Sequence, residues 1–421
     1  MSIIHQISNK LRAQIAGFSG ELSKSLKKVG KRFTEEMIYG ILSSGSVHLT
    51  EISRSLEEDI TMHKTHDRLC RNLAWGELEE TIGEEILKKG ASYVNQDTLI
   101  VIDPTEIVKP YAKKMEYLTK VRDGSTKEIM NGYSIIQAVA TDVNGKEIVP
   151  LISRLYSTIS PEFESENKHI EKAVQDICDA TGYYGTIVFD RGGDRRKLLI
   201  PWTSNYLMNY IIRQTGERHL HYGRQLISAL DIAGKCKMKY RETITRMKEN
   251  KIIVTNIDFG FAPVRLPEFP ERKLNLVVVK GFGEKPMILL TTLDVKQNRK
   301  SIWKIVQSYI ARWKIEETIR FIKQSYGLED IRLLTYQSLK NMITFVLAAS
   351  YFICVHIGLS EKLKILAAHA MKAAKRLFGI PDFNYYCIQD GVKAVFTRTP
   401  KGILRNKQNA PPESKQLLLF N

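Results

Sequence analysis

The spacing of apolar positions changes several times along the 421 residues. Up to about residue 95 they recur at helical spacing, with Gly45 and Gly76 as punctuation, which predicts a small helical domain over 1–95. From residue 98 short apolar runs take over. TLIVID, GYSIIQAVATD and EIVPLISRLYS read as strands, SENKHIEKAVQDICDATG as a helix, and TIVFD as a further strand. Three strands able to pair by hairpins, then a crossover helix and another strand, predict a mixed sheet flanked by helices.

The order β-β-β-α-β is that of the RNase H-like fold. The run 205–215 can supply the next strand, completing the first part of such a core over 96–215. Several strand-like runs follow, including KIIVTNIDFGF, LNLVVVKG and MILLTTLD, and read as a β-rich insertion over 216–297. Strong helical periodicity returns at 299–326, within a second core segment over 298–340. A helical C-terminal region with a basic tail is expected over 341–421. Its apolar run 343–359 is long enough to raise a membrane span, but it contains Thr344, Ser350 and His356 and reads better as a buried core helix. Beyond Pro411 and Pro412 the chain is expected to be loose. The expected class is therefore α/β, an RNase H-like core with a β-rich insertion between helical ends.

Charge narrows the partners. Lys and Arg total 63 against 46 Asp and Glu, a formal net charge of +17, which favours a polyanion: nucleic acid or an anionic membrane surface. From residue 361 onward eleven basic residues face four acidic ones. In the first domain, VHLTEISRSL and DITMHKTHDRLCRNL look like two short helices capped by Thr50 and Thr61, with His63, Lys64, His66, Arg68 and Arg71 on exposed positions of the second. That pattern suits a helix-turn-helix DNA reader, with a helical bundle carrying a solvated basic face as the alternative. Five scattered cysteines with no CxxC pair suggest neither a zinc site nor disulfides, and the N-terminus lacks the pattern of a secretory signal. A cytoplasmic, nucleoid-associated location is the expectation.

The candidate chemistry lies in three carboxylates. Asp103 closes LIVID and Asp190 closes IVFD, so both should emerge at the ends of neighbouring strands, where open sheets place their ligand sites. An aspartate there is otherwise a turn former or helix cap. In YIARWKIEETIRFIKQSYGLEDIR, residues Tyr309, Arg312, Glu316, Arg320 and Lys323 are three or four apart and share one helix face, while Ile315, Ile319 and Ile322 form an adjacent stripe. A solvated, ion-paired helix shows the same spacing. Carboxylates with no His or Cys suit Mg²⁺, which takes hard oxygen ligands and substrate phosphates.

Tyr309, two residues, Arg312, three residues, Glu316, six residues and Lys323 reproduce the Tyr-Arg-Glu-Lys signature of bacterial DDE insertion-sequence transposases, which the chain resembles over roughly 95–350. Asp103 in VIDPTEI looks like the family's first aspartate motif, and Asp190 in FDRGGD looks like its second, with Arg191 and Gly192 in the usual context. The resemblance implies that Asp103, Asp190 and Glu316 hold two Mg²⁺ ions, with Mn²⁺ as substitute, for in-line phosphoryl transfer at transposon ends. It implies that Tyr309, Arg312 and Lys323 contact phosphates, with Arg320, Arg191 and Trp313 as further DNA contacts, although core packing is the better account of Trp313 and Trp303 taken singly. Glu106 and Asp194 are read as bystanders. The partners implied are double-stranded DNA at transposon ends, target DNA and a second copy of the chain, with no membrane. A host-adopted or inactive RNase H-like DNA-binding protein or nuclease is the alternative.

Overall fold

The computed structural model describes residues 3–124, 126–248, 251–359, 385–399 and 402–403. Most of the basic tail, including Lys362, Lys364, Lys372, Lys375, Arg376, Lys401, Arg405, Lys407 and Lys415, lies outside the described residues. Five helices open the chain: α1 (Ile3–Leu22), α2 (Lys28–Ser44), α3 (Leu49–Leu56), α4 (Met62–Leu73) and α5 (Leu78–Ala91). Thr61 caps α4 as expected, its side chain accepting from the Lys64 amide. The cap of α3 is His48, so Thr50 falls inside the first turn instead. Arg68 also departs from expectation. It turns inward, and with Arg32 it grips the fully buried Glu36 and its neighbour Glu58. The exposed basic positions of α4 are therefore His63, Lys64 and Arg71, with His66 half-buried.

Among the described residues twelve strands form one continuous mixed sheet. β1 (Leu99–Val108), β2 (Thr119–Arg122), β3 (Ile129–Thr141) and β4 (Ile148–Tyr156) pair antiparallel, β3 lying between β1 on one side and β2 and β4 on the other. After α6 (Glu166–Thr181), β5 (Thr186–Phe189) runs parallel to β1. After α7 (Arg196–Ser204), β6 (Tyr210–Arg213) runs parallel to β5. The first halves of β1 and β5 are apolar on both faces because helices cover both sides, as parallel pairing requires.

The β-rich run does not stand apart from this sheet. Following β7 (His219–Tyr222), β8 (Gln225–Ser228) and α8 (Ala229–Lys235), the strands β9 (Tyr240–Lys248), β10 (Lys251–Leu266), β11 (Phe269–Lys280) and β12 (Met287–Thr291) fold antiparallel. β12 then pairs with β6, which continues the sheet without a break. The 28-residue helix α9 (Arg299–Tyr326) crosses back, capped by Asn298 and ended by Gly327 in the left-handed region. α10 (Tyr336–Tyr351) continues as a π-helical turn through Ile357 and packs on α2, α5 and β4. Over its most apolar window this helix is 94% buried inside the protein, as a core element should be. The last described helix, α11 (Tyr385–Arg398), docks on α2 and on the back of α9. There Tyr326 and the Leu42 carbonyl both bond the Gln389 amide group.

Candidate active site

The two aspartates are brought together by strand register. Val101 of β1 pairs in parallel with Val188 of β5. Two residues further along each strand stand Asp103 and Asp190, on the same face of adjacent strands about 5 Å apart. Asp190 follows β5 directly, as the sequence suggests. Asp103 does not close its strand: β1 runs through it to Val108, still paired with β3. The burial pattern marks the change, since residues 99–102 are buried and residues 103–106 are half-buried once β5 has ended.

The glycines after Asp190 have a steric cause. One oxygen of Asp190 accepts from the Gly192 amide at 2.7 Å, and a Cβ at position 192 would stand 2.9 Å from that oxygen. A Cβ at position 193 would press on Phe189 at 2.9 Å. A side chain at 192 would therefore displace the Asp190 carboxylate, and one at 193 would displace Phe189. Asp194 is a structural residue: its buried carboxylate bonds Arg218 and the Thr215 amide and hydroxyl, tying this turn to the segment after β6. Glu106 accepts from the Gly124 amide.

Helix α9 lies across the strand ends and supplies the rest. Arg312, only 9% exposed, reaches between two of the carboxylates, 3.6 Å from Asp103 and 2.9 Å from Glu316. Lys323 Nζ donates to Thr105 Oγ1 at 3.0 Å and to the Glu106 carbonyl at 2.6 Å. Tyr309 is fully buried with its ring under the Arg312 guanidinium, and its hydroxyl finds no partner among the described residues. Ile315, Ile319 and Ile322 are buried beside this row. Arg320 leaves the row, turning outward to pair with Glu317. Trp303 packs on Phe259 and Trp313 meets Phe282 edge-on, so both rings join α9 to the β-rich run. Arg191 is exposed beside Asp190.

The electrostatics show crowding. Burial pushes the Asp103 carboxyl up to about 7; Arg312 pulls it down, and the nearby Asp190 and Glu316 charges push it up again. Asp103, Asp190 and Glu316 therefore share one electrostatic neighbourhood, with Arg312 as its nearest cation. Glu316 is half-exposed at the rim, and among the described residues no three His, Cys, Asp or Glu side chains converge closely enough to enclose an ion. Sequence reasoning missed Gln137, which lies opposite Asp103 on β3, is buried, and has an amide oxygen with no partner among the described residues. It also missed Lys109, whose ammonium bonds the Glu329 and Ile331 carbonyls and is lowered by burial to about 8. Neither belongs to a spacing motif, so no signal in the sequence marked them.

Residues 96–352 match a family model described as a transposase DDE domain. A cryo-EM structure of the piggyBac transposase synaptic complex with hairpin DNA is similar at 12% identity and a TM-score of 0.44, over 96% of this chain and 80% of that one. No curated protein matches the chain.

Proposed function

The chain belongs to the DDE transposases, enzymes of DNA transposition that use divalent metal ions, and from that premise we propose that Asp103, Asp190 and Glu316 are its metal-holding carboxylates. The observation that carries this reading is their shared neighbourhood: two aspartates in register on parallel strands, and a glutamate joined to the first through Arg312. The donor set is all carboxylate oxygen, and burial, added to by the Asp190 and Glu316 charges, raises Asp103 to about 7, an environment that suits a hard divalent cation such as Mg²⁺ or Mn²⁺. Two such ions, when bound, would activate the attacking water or 3′-hydroxyl and stabilise the leaving oxygen.

The chain's own residues do the rest. Arg312 presents a planar, permanently charged donor to a phosphate, and Tyr309 supports it from below, so Tyr309 acts through Arg312. Lys323 fixes α9 to β1 at Thr105 and Glu106, holding Glu316 at the strand ends. Arg191, exposed beside Asp190, is a further DNA contact, and Arg320, paired with Glu317, and the half-buried Trp313, packed against Phe282, offer their exposed parts to DNA elsewhere along α9. We read the core as RNase H-like, from the strand order β4-β3-β1-β5-β6 and the parallel placement of β1, β5 and β6. Residues 1–95 serve as the DNA-reading domain, with α4 offering His63, Lys64 and Arg71. The substrates are DNA at transposon ends and target DNA, joined by a pair of chains of the bacterial insertion-sequence type.

Iron-directed backbone cleavage tests the site. Fe²⁺ with peroxide should cut the chain near residues 103 and 190, Mg²⁺ should compete, and Asp190→Asn should abolish the cuts. Cuts elsewhere, or none, would remove the assignment.

A further inference from the structure

Beyond the carboxylates, β1 continues along β3 as far as Gly132, where β3 passes on to pair with β2, and together the three strands form an extension. β5 ends at Phe189 beside Ile102, yet β1 continues to Val108 against β3, and residues 109–128 make an excursion that includes β2. This excursion carries Lys109, Lys113, Lys114, Lys120, Arg122 and Lys127 against Glu116, Asp123 and Glu128. Lys109 is buried as an anchor, and Lys127 folds back on the Gly124 carbonyl. Lys113, Lys114, Lys120 and Arg122 are exposed, and none has an ion-pair partner among the described residues. On β2 burial alternates, so Lys120 and Arg122 share the solvent face, two residues and about 7 Å apart. Tyr111, 93% exposed, stands near the start of the excursion, and Ile129, paired with Arg122, is exposed at its end.

The extension is fastened firmly. Lys109 holds the turn after α9, the Glu116 amide donates to the Leu334 carbonyl, and the Glu116 carboxylate accepts from the Tyr336 amide. Glu106 holds the Gly124 amide, and Lys323 ties the root of the extension to the catalytic helix. Cations on so fixed a platform lose little freedom on meeting a charged surface.

We propose that this extension is a phosphate-binding platform for the duplex being cut. It rests on the transposase reading above. On β3, Asp103 pairs with Gln137 while Lys120 and Arg122 pair with Asn131 and Ile129, so these cations lie about 20 and 26 Å along the strand direction from Asp103, or about 6 to 8 base pairs of DNA from the reacting phosphate. DNA seated at the carboxylates and running along β1 meets Lys113, Lys114, Lys120 and Arg122, which hold its backbone without reading its sequence.

The test measures binding of a duplex carrying the element's own end, taken from the DNA flanking the gene, across a salt series. Wild type is compared with Lys120→Gln/Arg122→Gln and Lys113→Gln/Lys114→Gln, all surface changes whose folding is checked by circular dichroism. Each pair should flatten the slope of log K against log salt by about 2, one unit for each phosphate no longer neutralised. Neutral methylphosphonate linkages, scanned outward from the cleavage position, should weaken wild-type binding at one stretch about 6 to 8 base pairs out and leave the variants unaffected there. Unchanged slopes, or equal sensitivity of variants and wild type to every linkage, would overturn the platform. So would loss of strand transfer alone, which would assign the cations to target DNA, or aggregation with intact binding, which would make them guards of an edge strand. Failure of wild type to cut the end DNA would instead count against the transposase site.

Discussion

The environment of Asp103 opposes its charge. Its carboxyl is raised from 3.8 to about 7, so the folded metal-free protein prefers it protonated. That contribution to stability is fully present below pH 3.8 and is lost as pH rises through about 7. Asp103→Asn should therefore stabilise the metal-free protein above about pH 7, by about 2 kcal/mol after allowance for partial exposure, and not below about pH 4. Thermal melts in chelator across that range check the sign. The glycine at 192 yields a second prediction. Gly192→Ala should displace the Asp190 carboxylate, reducing end cleavage at least about tenfold while DNA binding and the melting temperature stay near wild type. That Asp103, Asp190 and Glu316 share one neighbourhood was legible in the sequence, since two follow apolar strand runs and the third sits in a spaced helical motif. What Arg320 and Tyr309 do was not legible, because a shared helix face does not say which members reach the strand ends and which are buried beneath them.

At the scale of elements, periodicity located most strands and helices of the core, and the crossover order gave their pairing. It stopped Asp103's strand too early, because a proline and polar residues after Ile102 imitate a strand end while β3 keeps pairing alongside. It also placed Arg68 outside, where helical spacing alone cannot see Glu36 on another helix. That ion network makes a prediction. Glu36→Ala leaves Arg32 and Arg68 facing a buried gap and should destabilise the helical domain by about 3 kcal/mol. Replacing Glu36 and Arg68 together by Met should recover most of that loss, as measured by denaturant unfolding.

Across the whole molecule, the net charge of +17 pointed to a polyanion, and the family match gives that polyanion as DNA. Composition could not show that the β-rich run joins the core sheet edge to edge through β12 and β6, since such pairing links residues about 80 positions apart. The consequence is mechanical: α9 rests on both the core strands and the added ones, through Arg312 and Lys323 on one side and Trp303 and Trp313 on the other. The most direct test of the central claim is cleavage of DNA carrying the element's ends with Mg²⁺ or Mn²⁺, by wild type, Asp103→Asn, Asp190→Asn and Glu316→Gln. Wild type should nick the ends in a metal-dependent way, and all three variants should lose nicking while retaining end binding. Nicking by any of the three at the wild-type rate would contradict that claim.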